Sequence, residues 1–406
     1  MPEPTPPAEI RALTGLRGLA ALLVTLFHYY GNLDASLVDI GHVALRRLYL
    51  CVDLFFILSG YVMAMTYGAR FGEGGWTAAW RGFLLRRLAR IYPLYVVTLL
   101  GCMAVALALY GRFAPERGGF PLMIDQPWRD VPLNLLLMQS WGLARSALVP
   151  AWSISTEWAA YLLFPLLVLL MLRGSAARAA LGCLLALLLL AAAVWITAHD
   201  GLAHGGPLDA SQGEVPGALL RCLGGFLLGM ATWRVAASGW LGRCCGDAVG
   251  VALLALLGLA WLWAPGDLWI YPLLPPLVLL LGTNRGRVAA AFGAPLPHAL
   301  GLLSYAVYLL HYQLAGAIHG LEAVLAARLP VWLAYGVAGI GTYGLLLAAA
   351  AASYRLVELP GRRLLRGLER RRGRRDDPPP GLTLPDRTSA DRTPANLTPA
   401  GLAASS

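Results

Sequence analysis

Two ionisable residues within one apolar run carry the first chemical signal. Arg17 and His28 stand eleven positions apart in RGLAALLVTLFH. At 3.6 residues per turn this is just over three turns, so both side chains share one helix face, about 16 Å apart along the axis. An ionisable group inside a membrane span is costly and is a functional candidate by default. On one wall of a cavity the pair would offer an anion anchor at one depth and a base at another. Each also has a plainer reading: Arg17 snorkelling to the interface, and His28 as a hydrogen-bonded packing histidine. The second apolar run contains VDLFFILSGY and brings Asp53 to a depth close to that of His28. A carboxylate beside an imidazole fixes its tautomer and raises its basicity, as in nucleophile-activating triads. The alternative is a carboxylate in water at the interface. Ser59 and Gly60 lie deeper and suit close helix packing.

Three further stretches hold groups of the same kind. RRLARIYPLY supplies Arg86, Arg87 and Arg90, a cationic cluster suited to phosphates or, more simply, to anchoring at the inner interface. AWSISTEWAAYLLFP places Trp152, Ser153, Ser155 and Glu157 at the outer start of a span. There Glu157 fits a second acid, an acceptor-binding carboxylate, or a carboxylate favoured by the helix dipole. SYAVYLLH puts Ser304, Tyr305, Tyr308 and His311 on one helix, with Ser304 and His311 two turns apart on one face.

The elements that must position these groups follow from composition. Of 406 residues, 58% are hydrophobic and only 13% charged, against roughly 45–50% and about 25% in soluble chains. That excludes a soluble enzyme, a disordered chain and a disulfide scaffold. Apolar runs of span length, near 17–25 residues, lie at about 12–30, 48–67, 91–110, 158–172, 179–198, 217–235, 248–264, 268–283, 299–318 and 331–354. A piece at 131–141 is too short to cross and reads as re-entrant or interfacial. With the N-terminus in the cytosol, the inner connections gather Arg70, Arg81, Arg86, Arg87, Arg90, Arg173, Arg178, Arg234, Arg243, Arg285 and Arg287, as the positive-inside rule requires. The expectation is an all-α, polytopic membrane helix bundle of about ten spans with both termini cytosolic. It divides into a cytosolic arm (1–11), the membrane domain (12–358), an Arg-rich juxtamembrane segment (359–375) and a disordered cytosolic tail (376–406).

The net charge is +10, and all 32 basic residues are Arg. Without Lys there is no Schiff base and no Walker-type phosphate loop. The charge sits beside apolar runs rather than on an exposed face, so nucleic acid is not expected as a partner. The six cysteines show no metal-ligand spacing, and no metal is expected; adjacent Cys244 and Cys245 have no assigned role. The Arg-rich composition suits a GC-rich bacterial genome.

In order along the chain, several of these stretches resemble the acyltransferase-3 family of membrane acyltransferases. They are Arg17-x10-His28, VDLFFILSGY, the RxxR of Arg87 and Arg90 with Pro93, and the WSxSxE of Trp152 to Glu157. Arg221 with GFLLG, then SYxxYLLH, and finally YRLVELP near Glu358 complete the series. Two positions depart from the pattern: Cys51 stands where Gly is common, and Leu359 where a basic residue is. The resemblance implies transfer of an acyl group, acetyl being expected, from cytosolic acyl-CoA to a hydroxyl of a sugar or glycosylated acceptor. Surface polysaccharide, glycolipid and secreted natural product are the acceptor classes, and the bacterial plasma membrane is the expected location. No appended esterase-like domain is expected. The expected catalytic residues are His28, Asp53 and Glu157, with Asp53 orienting His28. Arg17, Arg86, Arg87 and Arg90 would hold the acyl-CoA phosphates, and Trp152, Ser155, Tyr305 and His311 would contact substrate. Direct attack by the acceptor and an acyl-His relay both remain open. A glycolipid or natural-product flippase is the alternative from another class, though the matching broken-helix halves typical of transporters are not evident.

Overall fold

The computed structural model describes residues 9–30, 44–71, 75–111, 122–199, 206–209, 215–239, 245–365 and 367. In chain order its helices are α1 (Arg11–Tyr30), α2 (Cys51–Tyr67), α3 (Trp76–Tyr110), α4 (Pro127–Leu135), α5 (Ala151–Met171), α6 (Ala176–His199), α7 (Gly217–Ala237), α8 (Asp247–Trp263), α9 (Leu274–Thr283), α10 (Arg287–Phe292), α11 (Pro295–Leu310), α12 (Ala315–Ala326) and α13 (Val331–Ser353). Among the described residues there is no strand. In hydrocarbon every backbone polar group must be satisfied within the segment, and a helix does so.

Among the described residues seven helices are long and apolar enough to cross a membrane: α1, α2 with its flanking turns, α3, α5, α6, α7, and α13 with its continuation to Leu365. The other three apolar runs fall on shorter helices. One is α8; another is α9, entered through the one-turn helix Asp267–Ile270; the last is α11, followed by α12. Outward faces are apolar too, as lipid contact demands. Leu181, Leu184, Leu187 and Leu188 of α6 are exposed, and in α8 only Gly250 is buried. The segments expected at 1–8 and 366–406, including the tail and most of the Arg-rich run, lie outside the described residues apart from position 367, as does Cys244.

The run at 131–141 does not cross. It forms the nine-residue α4 and then turns. Irregular backbone is tolerated at membrane depth only where protein covers it, and here side chains supply the missing partners. Asp130 Oδ2 accepts the amides of Asp125 and Gln126 at 2.9 and 2.8 Å. Asn134 Oδ1 accepts that of Ala147 at 2.8 Å. The carbonyl of Leu137, a residue at φ 58°, accepts the Ser155 hydroxyl at 2.9 Å.

Glycines set the two closest helix crossings. A Cβ at Gly18 would lie 2.5 Å from the Gly301 nitrogen, and one at Gly301 would lie 2.0 Å from the Thr14 carbonyl. On the other side, a Cβ at Gly60 would come 2.0 Å from the Phe226 carbonyl, and one at Gly229 equally near that of Ile57. Without a hydrophobic drive between helices in lipid, backbone contact of this kind supplies the packing energy. Gly301→Leu is therefore expected to destabilise the solubilised protein by at least about 1–3 kcal/mol, the usual cost of overpacking. Gly341→Leu, where a Cβ meets nothing within 4 Å, should leave the thermal unfolding midpoint in detergent unchanged.

Candidate active site

The α1–α11 crossing brings Arg17 against Ser304. Its Nε donates to Ser304 Oγ at 2.9 Å and its Nη2 to the Gly301 carbonyl at 3.0 Å. Two N–H groups are thus fixed to α11, and the charge faces a cavity of about 340 Å3. Helix α3 turns Arg87 and Arg90 into the same cavity, α5 contributes Ser153, Glu157 and Tyr161, and α2 adds Phe55, Phe56 and Ser59. Tyr161 donates to Glu157 Oε1 at 2.5 Å and lies 3.3 Å from Ser59 Oγ. Arg87 donates from Nη2 to Tyr67 at 3.1 Å, while its buried Nε has no partner. Arg90 makes no hydrogen bond or ion pair among the described residues. Arg86 does not line the cavity. Its guanidinium stands 5.5 Å from the Tyr67 ring, which those of Arg70 and Arg87 also flank at 5.6 and 5.3 Å. The cavity therefore gathers three guanidiniums, a group whose geometry suits anions.

Glu157 was expected near the outer surface, and the structure corrects this. The buried α4 segment precedes α5, so the first turns of α5 lie inside the bundle and Glu157 shares the cavity with Arg17, Arg87 and Arg90. Trp152 and Ser155 are absent from its lining. Ser155 Oγ instead accepts the Ser140 amide at 3.3 Å as well as bonding Leu137, which ties α5 to the α4 segment. Tyr305 does line the cavity, with its hydroxyl donated to the Ile91 carbonyl.

The second centre lies farther along the same helix pair. His311, fully buried, has Nε2 3.1 Å from His28 Nδ1. Its Nδ1 is 2.7 Å from the Tyr308 carbonyl, and His28 Nδ1 is 3.0 Å from that of Val24. A carbonyl can only accept, so each Nδ1 carries a proton when the rings are neutral. His28 Nδ1–H is then shared between the Val24 carbonyl and His311 Nε2, both acceptors, and His28 Nε2 keeps its lone pair. One face of the cavity ends on Tyr308, whose ring centroid is 5.8 Å from that of His311.

Asp53 does not orient His28. Both its oxygens accept from Arg221, at 2.8 Å from Nε and 2.6 Å from Nη2, and both side chains are fully buried. Arg221 is stacked between Tyr49 and Trp152, each ring centroid 5.3 Å from its guanidinium carbon. A guanidinium in hydrocarbon takes the nearest carboxylate bidentately, and α7 delivers one through its glycine-mediated contact with α2. The signal lay in the sequence: Arg221 is the ionisable residue of the 217–235 run besides Arg234 near its end. Tyr161 also went unremarked, although it stands one helical turn after Glu157.

A polytopic helix bundle with an arginine-lined cavity at one end and a buried imidazole pair toward the other defines a membrane protein with a ligand site. The acyltransferase-domain family, acyltransferase-3, matches residues 10–351, and the chain belongs to it. It is similar to the acyltransferase MdmB of Streptomyces mycarofaciens, 36% identical over 40% of each chain. It is also similar to protein 2 in the picA locus of Rhizobium radiobacter, 33% identical over 38% of this chain and 79% of that one. The O-acetyltransferase OatA of Staphylococcus aureus is 23% identical over 88% of this chain and 58% of its own length. The matched regions thus span 40% of MdmB and 58% of OatA. No solved structure matches the chain.

Removing one partner of a buried ion pair strands the other charge, at a cost of about 3–5 kcal/mol. Arg221→Ala should lower the unfolding midpoint in detergent accordingly. Replacing both partners, Asp53→Leu with Arg221→Met, should recover most of that loss.

Proposed function

We propose that the protein is a multi-pass membrane O-acyltransferase of the bacterial plasma membrane. It moves an acyl group, acetyl in the first instance, from cytosolic acyl-CoA to a hydroxyl of a sugar or glycosylated acceptor. The observation that carries this reading is the cavity where Arg17, Arg87 and Arg90 converge, with Arg90 making no hydrogen bond or ion pair among the described residues. Such donors suit the phosphates of an acyl-CoA. Similarity to the O-acetyltransferase OatA supports a hydroxyl acceptor and an acetyl group.

In this scheme the acyl thioester lies along the α1–α11 pair toward Tyr308 and His311. The lone pair of His28 Nε2 takes the proton of the acceptor hydroxyl, whose oxygen then bonds the thioester carbonyl carbon. Collapse of the tetrahedral adduct breaks the carbon–sulfur bond, and the thiolate leaves, to be protonated as the free thiol of CoA. His311 accepts the His28 Nδ1 proton in a hydrogen bond and so holds the reactive tautomer, the task assigned from sequence to Asp53. Glu157, hydrogen-bonded to Tyr161, is a positioning carboxylate among the cavity arginines rather than an outer acid.

General-base assistance is worth roughly 10²–10⁴-fold. His28→Ala should lower acceptor-dependent transfer from labelled acetyl-CoA by at least that factor while membrane insertion is kept; near-normal transfer would sink the assignment. Arg87→Ala should raise the KM for acetyl-CoA roughly tenfold or more, the value of a charge-assisted hydrogen bond, and an unchanged KM would remove Arg87 from donor binding.

A further inference from the structure

The Arg17 cavity is not the sole hollow at that end of the bundle. A second, of about 660 Å3, opens between the start of α1, the end of α9, α10 and the first residue of α11. Glu9 and Ile10 line both cavities, so these two residues form a saddle with a hollow on either side. The far hollow has an apolar floor that includes Ile10, Ala289 and the exposed Ala290. Arg11 and Arg285 line it, and neither makes a hydrogen bond or ion pair among the described residues.

Its other polar groups are already engaged. Asn284 donates from Nδ2 to the Cys245 carbonyl at 2.6 Å, and its Oδ1 accepts the Gly286 amide at 2.7 Å. Glu9 Oε1 accepts from the Thr14 hydroxyl at 2.7 Å and meets His298 Nε2 at 3.2 Å. Thr14 belongs to the first cavity, so the one carboxylate on the saddle is drawn to that side. Partial burial pushes the Glu9 carboxyl up, but those two hydrogen bonds outweigh it and hold it below the usual carboxylate value. What faces the second hollow is therefore two guanidiniums without a hydrogen-bond or ion-pair partner among the described residues, above an apolar floor.

Size makes the connection. Pockets for drug-sized ligands run to roughly 300–1,000 Å3, and the first cavity, at about 340 Å3, is at the low end. A coenzyme A thioester is larger than such a ligand and must extend out of it. We propose that the second hollow seats the nucleotide end of the donor, its 3′-phosphate between Arg11 and Arg285 and its purine on the apolar floor, with the pantetheine arm crossing the Glu9–Ile10 saddle. This rests on acyl-CoA being the donor. Guanidinium forks take phosphate oxygens bidentately, and the purine covers apolar surface that otherwise faces water.

A phospholipid headgroup offers the same phosphate chemistry, and the test separates the two. The full chain, in nanodiscs of zwitterionic lipid, is assayed with acetyl-CoA and with acetyl-dephospho-CoA, which lacks only the 3′-phosphate. The wild type should show a KM lower by roughly tenfold to a hundredfold for acetyl-CoA. The double variant Arg11→Ala/Arg285→Ala should raise that KM to the level of the dephospho donor, whose own KM stays put and so reports an intact fold. Retention of the preference by the double variant overturns the proposal. So does an effect of the substitutions seen only when anionic lipid is added, which assigns the hollow to a lipid. Failure of the wild type to use either donor would remove the acyl-CoA reading itself; discrimination unchanged with transfer intact removes the nucleotide seat alone.

Discussion

The backbone contact between α1 and α11 is the constraint on which the rest depends. Gly18 and Gly301 allow it, because any side chain at either position would collide with the opposing main chain. The two helices run in the same direction, so one crossing places two pairs: Arg17 on Ser304 and His28 on His311. Arg17 and His28 are thus registered to each other through a single rigid element pair. Sites held by packed helices are positioned more closely than sites on loops, and the proposed transfer from a phosphate-bearing donor to a hydroxyl would use that fixed separation.

The charges inside the bundle divide into two kinds. Asp53 and Arg221 form a bidentate pair walled in by Tyr49 and Trp152. That fully buried pair binds α2 to α7. Arg90, by contrast, lines the cavity and makes no hydrogen bond or ion pair among the described residues. In a medium that penalises unpaired polar groups by several kcal/mol, donors left open are the mark of a binding site, and a closed bidentate pair is the mark of a structural one.

Much of this was legible in the sequence. The ten apolar runs all became helices, the 131–141 piece did not cross, and the eleven-residue spacing put Arg17 and His28 on one face. Depth was harder to read. Glu157 was assigned to the outer start of a span by the positive-inside count, yet the segment before it is bonded into the bundle through Asp130, Asn134 and Ser155, and Glu157 shares a cavity with Arg17. Partners were hardest. Asp53 and His28 share a depth, but helix adjacency decides who meets whom, and adjacency is set by glycine contacts such as Gly60 with Phe226 and Gly229 with Ile57. No local pattern around Asp53 names Arg221, which lies 168 positions away. His311 was in view as a substrate contact; its place against His28 required the crossing.

In the proposed mechanism donor binding and hydroxyl activation reside at separate ends of one helix pair. Equilibrium binding of acetyl-CoA to the purified His28→Ala protein in nanodiscs separates the two. Its affinity should stay within about twofold of wild type, since His28 is absent from the arginine cavity and a twofold change is well under the 1.4 kcal/mol of a tenfold step. A loss of affinity as large as the loss of turnover would show that the two functions share one site.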